Sequence, residues 1–307
     1  MSKLIRIGTR ESQLAVWQAA QVKEQFMLNG LRAELVYIKS EGDTDTKTPL
    51  YEMGVQGIFT RSLDTALLNN NIDIAVHSMK DVPTQLPEGI VQAAVLKRGP
   101  VNDLLVFKTS LDQLYREEYI AHIATSSIRR KAQWLHRFPH HQVHNLRGNV
   151  NTRLQKLQNA KWDAAIFAQA GLERIGLRPE DSVELNWMLP APAQGAIMVV
   201  CRDNDPFIFE SCRPFNDPET ALCTKIERDF LRALLGGCST PISALAIVKN
   251  DMVGFTGNIL SLDGAEKVQT EKKVPVADAI NLGREAALNL LQTGGSQIAE
   301  RIKYAAQ

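Results

Sequence analysis

Along this chain, segments whose apolar residues follow the pattern of strands alternate with segments whose apolar residues follow the pattern of helices. Residues 5–8 predict a short buried strand, and the helical pattern that follows ends at Gly30. Residues 33–39 alternate like a second strand, 59–67 repeat at helical spacing, and 72–76 predict a third strand. This order of strands and helices predicts a parallel sheet with right-handed crossovers.

The same plan recurs further along the chain. It comprises strands over 120–124, 142–146 and 163–168, with helical patterns over 128–137, up to about Leu157, and over 171–175. We therefore predict two similar α/β lobes with mainly parallel sheets. Their polar residues gather after the strand ends, which is where open parallel sheets bind ligands.

The pattern changes after a turn-rich segment over 190–195. A strand over 197–201 can return to the first lobe, and a smaller α+β domain is predicted beyond it. Its predicted elements are a helix from Asp217 to Leu234, strands near 242–248, 253–259 and 267–274, a hairpin at Asp263-Gly264 and a helix over 277–291. The predicted domains are 1–97 with 196–214, 101–190, and 217–307. The polar segment over 40–57 is predicted to be a lid or a disordered flap, and is called the predicted lid below.

Composition places the chain among ordinary globular proteins. Hydrophobic residues make up 44% of the 307 residues and charged ones 22%. A formal net charge of +1 gives no global attraction to nucleic acid or to a membrane, so any electrostatic function must be local. With no apolar run of about 20 residues and no signal-peptide pattern, we expect a cytoplasmic protein, and a monomer.

One window of the chain is basic and free of acids. Residues 119–162 contain no Asp or Glu but eight Lys or Arg and five of the six His. Arg129, Arg130, Arg147 and Arg153 lie at or just after strand-to-helix turns, whereas Lys156 and Lys161 are expected to be ordinary solvated charges. Arginine forks match carboxylates, and free N–H groups at helix starts favour anions. The window predicts a site for a small polyanion.

Two further residues are candidates for chemistry. Asp81 directly follows a predicted buried strand and can stabilise a cationic intermediate or move a proton, although an acid before Val-Pro is also a common turn former. Cys238 follows Gly236-Gly237 beyond a helix end, where it is either a special thiol or a small buried hydrophobe. The four cysteines lack metal-ligand spacing, so no metal site is expected.

Seven strings, taken together, resemble the porphobilinogen deaminase family. They are Ile7-Gly8-Thr9-Arg10-Glu11-Ser12, Val76-His77-Ser78-Met79-Lys80-Asp81-Val82-Pro83, Thr125-Ser126-Ser127-Ile128-Arg129-Arg130, Leu146-Arg147-Gly148-Asn149-Val150-Asn151-Thr152-Arg153, Ala170-Gly171-Leu172-Glu173-Arg174, Pro192-Ala193-Gln194-Gly195-Ala196 and Gly236-Gly237-Cys238-Ser239-Thr240-Pro241. Their joint order and spacing cover almost the whole chain.

The resemblance implies a fold, a reaction and a cofactor. The first two lobes would be like periplasmic binding proteins, followed by the smaller domain. The enzyme would be a transferase of tetrapyrrole (heme) biosynthesis that condenses four porphobilinogen molecules head to tail, with loss of ammonia, into hydroxymethylbilane. A dipyrromethane cofactor, joined by a thioether to Cys238, would prime the chain.

The resemblance also implies roles for individual residues. Asp81 would be catalytic. The cofactor would be bound by Cys238, Lys80, Ser78, Thr125, Ser127, Arg129, Arg130, Arg147 and Gly148. The substrate carboxylates would be bound by Arg10, Ser12, Arg153, Arg174 and Gln194.

Departures from the family pattern fall mainly in the predicted lid. It reads Gly54-Val55-Gln56-Gly57-Ile58-Phe59, without the lysine usual there, and Glu41 adds a negative charge at its root. Asn151 replaces a common glycine after Arg147. Two other functions compete with the enzyme: a non-catalytic two-lobed binding protein for a small polycarboxylate, and an RNA-binding protein that uses the basic window. The scattered aromatic residues of the window disfavour the second.

Overall fold

The computed structural model describes residues 3–39, 60–234 and 240–305. Its first elements are β1 (Leu4–Thr9), α1 (Gln13–Leu28), β2 (Arg32–Tyr37), α2 (Arg61–Leu68), β3 (Ile74–Ser78) and β4 (Ile90–Val95). β1 pairs in parallel with both β2 and β3, as predicted. Val22 and Phe26 of α1 are fully buried against this sheet, and Gly30 ends the helix with a φ of +74°, which glycine adopts without strain.

The second lobe repeats this arrangement. Its elements are β5 (Asp103–Phe107), α3 (Leu111–Leu114), β6 (His122–Ala124), α4 (Ile128–Arg137), β7 (Gln142–His144), α5 (Val150–Asn159), β8 (Ala164–Ala168), α6 (Gln169–Glu173) and β9 (Ser182–Glu184). β6 pairs in parallel with β7 and β8, whereas β5 runs antiparallel to β8 and β9. Alternate residues of β5 pack on opposite faces of the sheet, Leu105 on one and Leu104 with Val106 on the other.

The chain then returns to the first sheet through β10 (Ile197–Arg202), which is followed by α7 (Pro206–Cys212). β10 runs antiparallel to both β3 and β4, so the first sheet has the order β2-β1-β3-β10-β4. The second has the matching order β7-β6-β8-β5-β9. In each sheet four strands therefore run in one direction and a single strand, β10 or β5, runs against them. The three neighbouring parallel strands of each lobe and the return of β10 were predicted, whereas β4, β5 and β9 were not.

The remaining described elements form the smaller α+β region. They are α8 (Pro218–Leu234), β11 (Ile242–Lys249), β12 (Met252–Leu260), β13 (Lys267–Pro275), α9 (Leu282–Leu290) and α10 (Ser296–Ala305). The three strands form an antiparallel sheet, with Gly264 at a φ of +77° in the predicted hairpin. The prediction of one helix over 277–291 is wrong at its start, because residues 276–281 form a 3₁₀ helix before α9.

Over the described residues, the chain divides into two compact units. One contains 3–39, 60–99 and 195–222, and the other contains 100–194, 223–234 and 240–305. Within the second unit, Gln133 of α4 donates to Ser243 Oγ of β11 at 3.0 Å. The predicted three-domain boundaries stay a prediction. Every helix in the described ranges is too short or too polar to cross a membrane.

Candidate functional site

The predicted site residues of the first lobe lie at one edge of the first sheet. Gly8 of β1 lies opposite Ala75 of β3, and because the two strands are parallel, the segments that follow them emerge at the same edge. Arg10 and Ser12 follow β1, and residues 78–81 follow β3. Ser12 caps α1, its Oγ accepting from Ala15 N at 3.4 Å.

Asp81 is carried by a short, well-anchored turn. It ends a one-turn 3₁₀ helix, Met79–Asp81, whose Met79 side chain is buried. Met79 N donates to Ala196 O at 3.0 Å, and Ser78 Oγ lies 2.9 Å from Gln18 Nε2 of α1. Asp81 and Lys80 are themselves half-buried. The hydrogen bonds to Gln18 and Ala196 therefore anchor the turn, and Asp81 itself is only half-buried.

His77 lies one residue before this turn, inside β3. Its ring is buried, and its Nε2 has no hydrogen-bond partner among the described residues. Burial, together with the charge of Arg10, lowers the pKa of His77 to about 4. The imidazole is therefore neutral at neutral pH.

Two helices begin at one edge of the second sheet. Thr125 N donates to His144 O at 2.8 Å, which holds the segments after β6 and β7 side by side. Ser127 caps α4 by accepting from Arg130 N at 3.4 Å, and Asn149 caps α5 by accepting from Thr152 N at 2.9 Å. Helix starts carry partial positive charge, so this edge favours an anion.

Arg147 and Gly148 form the turn into α5. Arg147 is buried, and Gly148 has a φ of +111°, a conformation that side-chain-bearing residues rarely adopt. Arg153 Nε donates to Gly148 O at 2.6 Å and Lys156 Nζ to Arg147 O at 3.1 Å. The prediction that Lys156 is an ordinary solvated charge is wrong, because it helps to hold this turn.

Arg129 and Arg130 share a buried carboxylate that lies outside the acid-free window. Arg129 Nη2 donates to Asp103 Oδ2 at 2.7 Å, and Arg130 Nη2 donates to Asp103 Oδ1 at 2.7 Å. All three side chains are buried. Burial alone would raise the pKa of Asp103, but the two guanidinium charges and their hydrogen bonds hold it well below its usual range.

This group of Asp103, Arg129 and Arg130, here called the Asp103 cluster, retains an excess of positive charge. Two guanidiniums face one carboxylate, and Arg129 Nε is a buried N–H without a hydrogen-bond partner in the part of the chain that the structure describes. Burying a positive charge without a matching anion is costly. The cluster therefore fits a ligand that carries carboxylates.

Gln194 and Arg174 complete the described part of the predicted site. Gln194 is buried, and its Nε2 donates to Val101 O at 2.7 Å and to Asp103 Oδ1 at 2.9 Å. Arg174 is half-buried at the end of α6, and burial lowers its pKa to about 10, so it stays charged at neutral pH. The roles of both residues toward a substrate stay predictions.

Cys238 and the predicted lid lie outside the described residues. The three described cysteines, Cys201, Cys212 and Cys223, are all buried. Burial raises the pKa of Cys201 to about 11 and also raises that of Cys212. These two thiols are therefore protonated and poorly nucleophilic at neutral pH.

Comparison with known proteins decides the family. Residues 5–210 match the model of the porphobilinogen deaminase dipyrromethane cofactor binding domain, and 221–292 match that of the porphobilinogen deaminase C-terminal domain. The chain belongs to the porphobilinogen deaminase family. The porphobilinogen deaminase of Pelobacter propionicus is 39% identical over 305 residues, covering 97% of each chain. That of Desulforamulus reducens is 39% identical over 309 residues, covering 99% of each.

Membership of the family confirms the predicted deaminase and its dipyrromethane cofactor. Among solved structures, the VFT2 domain of BvgS from Bordetella pertussis matches with a TM-score of 0.41 and 11% identity, covering 71% of this chain and 90% of that one. A likeness this weak carries no argument about function. The family relationship itself gives no support to the non-catalytic alternative.

Asp103 is the residue of the site that sequence reasoning missed. A weak signal was present, since an acid directly before the apolar run Leu104-Leu105-Val106-Phe107 begins a buried strand with a charge. The pairing with Arg129 and Arg130, which follow it by more than twenty positions, depends on the antiparallel placement of β5 beside β8. Nothing local in the chain indicated that placement.

Proposed function

We propose that this chain condenses four porphobilinogen molecules head to tail, releasing ammonia at each step, to form the linear tetrapyrrole hydroxymethylbilane. The observation that carries the proposal is the excess positive charge of the Asp103 cluster at an edge where two helices begin. Porphobilinogen carries an acetate and a propionate arm, so each added ring brings two carboxylates. A growing chain of such rings is the kind of polyanion that this edge can hold.

The cofactor would be tethered by a thioether to Cys238. The burial of the other three cysteines supports this choice. When bound, the dipyrromethane supplies the free pyrrole carbon from which the chain grows. Its carboxylates would be held by Lys80, Ser78, Thr125, Ser127, Arg129, Arg130, Arg147 and the backbone at Gly148.

Asp81 would stabilise the positive charge that develops on the substrate as ammonia leaves, and its carboxylate oxygens would accept a proton from the pyrrole ring. Its anchored turn supports this role, because a carboxylate fixed before the reaction needs no reorganisation during it.

Substrate carboxylates would be bound by Arg10, Ser12, Arg153, Arg174 and Gln194. Arg10, Ser12 and Arg174 are only partly buried, which suits direct contact. Gln194 already donates to Val101 O and to Asp103 Oδ1, so it would contribute by supporting the residues that contact the substrate.

We also propose that the protein is a cytoplasmic monomer. Sedimentation velocity tests the monomeric state.

Intact mass spectrometry tests the proposal. Protein purified from a host that makes porphobilinogen should carry the added mass of a dipyrromethane, and Cys238→Ser should lack it. Cys212→Ser, which removes a buried thiol, is the matched control and should keep the adduct. An unmodified wild-type mass together with tight binding of porphobilinogen would support the non-catalytic binding protein instead.

A further inference from the structure

Asp103 has no role in the proposed chemistry, yet it contacts Arg129 and Arg130, two of the predicted cofactor residues of the second lobe. It begins β5 and stands opposite Ala168, the last residue of β8, because the two strands are antiparallel. Its carboxylate therefore lies at the end of the sheet where β6 and β8 finish, next to the start of α4. The side chain is fully buried.

The Asp103 carboxylate holds two adjacent guanidiniums at once. Its Oδ2 accepts from Arg129 Nη2 at 2.7 Å, and its Oδ1 accepts from Arg130 Nη2 at 2.7 Å and from Arg130 Nε at 3.1 Å. Charge-assisted bonds of this kind are about twice as strong as neutral ones and fix the plane of the guanidinium.

Backbone oxygens hold the opposite side of each guanidinium. Arg129 Nη1 donates to Leu189 O at 2.8 Å, and Arg130 Nη1 donates to Ile166 O at 3.0 Å. Gln194 Nε2 in turn fixes Asp103 Oδ1 at 2.9 Å. Two long, flexible side chains are thus immobilised before any ligand arrives, which lowers the entropy lost on binding.

The charge of the cluster also depends on Asp103. With Asp103 the cluster has a formal charge of +1, since two guanidiniums face one carboxylate. Without it, two positive charges on adjacent residues would share a buried space and repel each other. Arg129 and Arg130 would then turn toward water instead of toward a ligand.

We propose that Asp103 is a positioning residue for cofactor assembly, which holds Arg129 and Arg130 in the orientation that receives the carboxylates of the dipyrromethane. The inference rests on the proposed function. It extends that function by giving a protein carboxylate the task of arranging the arginines that bind ligand carboxylates.

The test follows cofactor attachment to the apo-protein. Apo-protein from a host that makes no porphobilinogen is mixed with porphobilinogen, and the adduct is timed by intact mass. In Asp103→Asn, which keeps the shape of the side chain but removes its charge, we expect the porphobilinogen concentration that gives half the maximal rate to rise at least about tenfold.

Asp163→Asn is the matched control. Asp163 precedes β8, at the opposite end of the same sheet, and accepts from Thr109 Oγ1 at 3.0 Å, Tyr119 OH at 2.8 Å and His122 N at 2.7 Å. Asp163→Asn should lower the thermal midpoint of the protein about as much as Asp103→Asn does. The porphobilinogen concentration that gives half the maximal rate of attachment should stay at the wild-type value. A general loss of stability is thereby separated from a loss of arginine positioning.

The outcomes are distinct. If wild-type apo-protein gains no adduct, the proposed function fails and the inference fails with it. If wild-type protein gains the adduct and folded Asp103→Asn gains it with unchanged concentration dependence, the inference alone is overturned. If Asp103→Asn does not fold, Asp103→Glu decides, because it keeps the charge but displaces both guanidiniums. A folded Asp103→Glu with wild-type behaviour overturns the inference, and a raised half-saturating concentration supports it.

Discussion

Asp81 depends on its turn as much as on its charge. The 3₁₀ turn is anchored by buried Met79, whose N–H is bonded to Ala196 O, so a change at the carboxylate should not disturb the lobe. We expect Asp81→Asn to lower kcat at least about 100-fold, because the side chain loses both its charge and its proton-accepting oxygen. Product formation gives the rate, and intact mass shows whether the cofactor is still attached.

Asp112→Asn controls for the loss of a carboxylate as such, since Asp112 is exposed in α3. It should leave kcat unchanged. Turnover near the wild-type rate in Asp81→Asn, with the cofactor present, would remove Asp81 from the catalytic role.

His77 should make stability depend on pH. Its pKa is about 4 in the folded protein, because of burial and the Arg10 charge, against 6.5 in the unfolded chain. Between pH 4 and pH 6.5, His77 is therefore mostly protonated in the unfolded chain and mostly neutral in the folded protein. The free energy of unfolding should therefore be highest above pH 6.5 and fall by about 3 kcal/mol as the pH drops to 4. Urea titrations at several pH values measure it.

His77→Gln should flatten this dependence, whereas replacement of the exposed His140 should not. If the wild type and His77→Gln lose stability equally between pH 6.5 and pH 4, the buried ring is not the cause.

At the scale of elements, Glu227 joins three segments of the second unit. It lies fully buried on α8, and its carboxylate accepts from Ala193 N at 2.6 Å and from Ala246 N of β11 at 2.8 Å. Glu227→Ala leaves both buried N–H groups without that acceptor, at a cost of roughly 2–5 kcal/mol in the free energy of unfolding. Thermal and urea unfolding measure this loss.

Glu219→Ala on the exposed first turn of the same helix is the control, and it should change stability by only a few tenths of a kcal/mol, about the size of a helix-dipole contact. Equal losses for the two variants would mean that the Glu227 carboxylate does not join these segments.

Elements were predicted well where local signals agreed. Helix α4 spans Ile128–Arg137 as predicted, because Ser127 caps it and its apolar residues repeat at helical spacing. The predicted helix over 277–291 fared worse, since residues 276–281 tighten into a 3₁₀ helix. Helical periodicity does not distinguish the two over so short a stretch.

At the scale of the molecule, the three neighbouring parallel strands of each lobe and the return of β10 could be predicted, whereas β4, β5 and β9 could not. The strands over 90–95, 103–107 and 182–184 pair with strands that are distant in sequence. The site divides in the same way. The arginines after strand ends were found from local pattern, but the buried partner of Arg129 and Arg130 follows from the pairing of β5 with β8.

The return of β10 to the first sheet sets an order for folding during synthesis on the ribosome. β4 joins its sheet only through β10, whose Ile197 pairs with Ser78 of β3. The second sheet needs nothing beyond Glu184. The nascent chain can therefore complete its second lobe while the first still has an open edge at β3. Of the two lobes, the one made first is therefore finished second, and its β3 edge stays unpaired until residue 202 has been made.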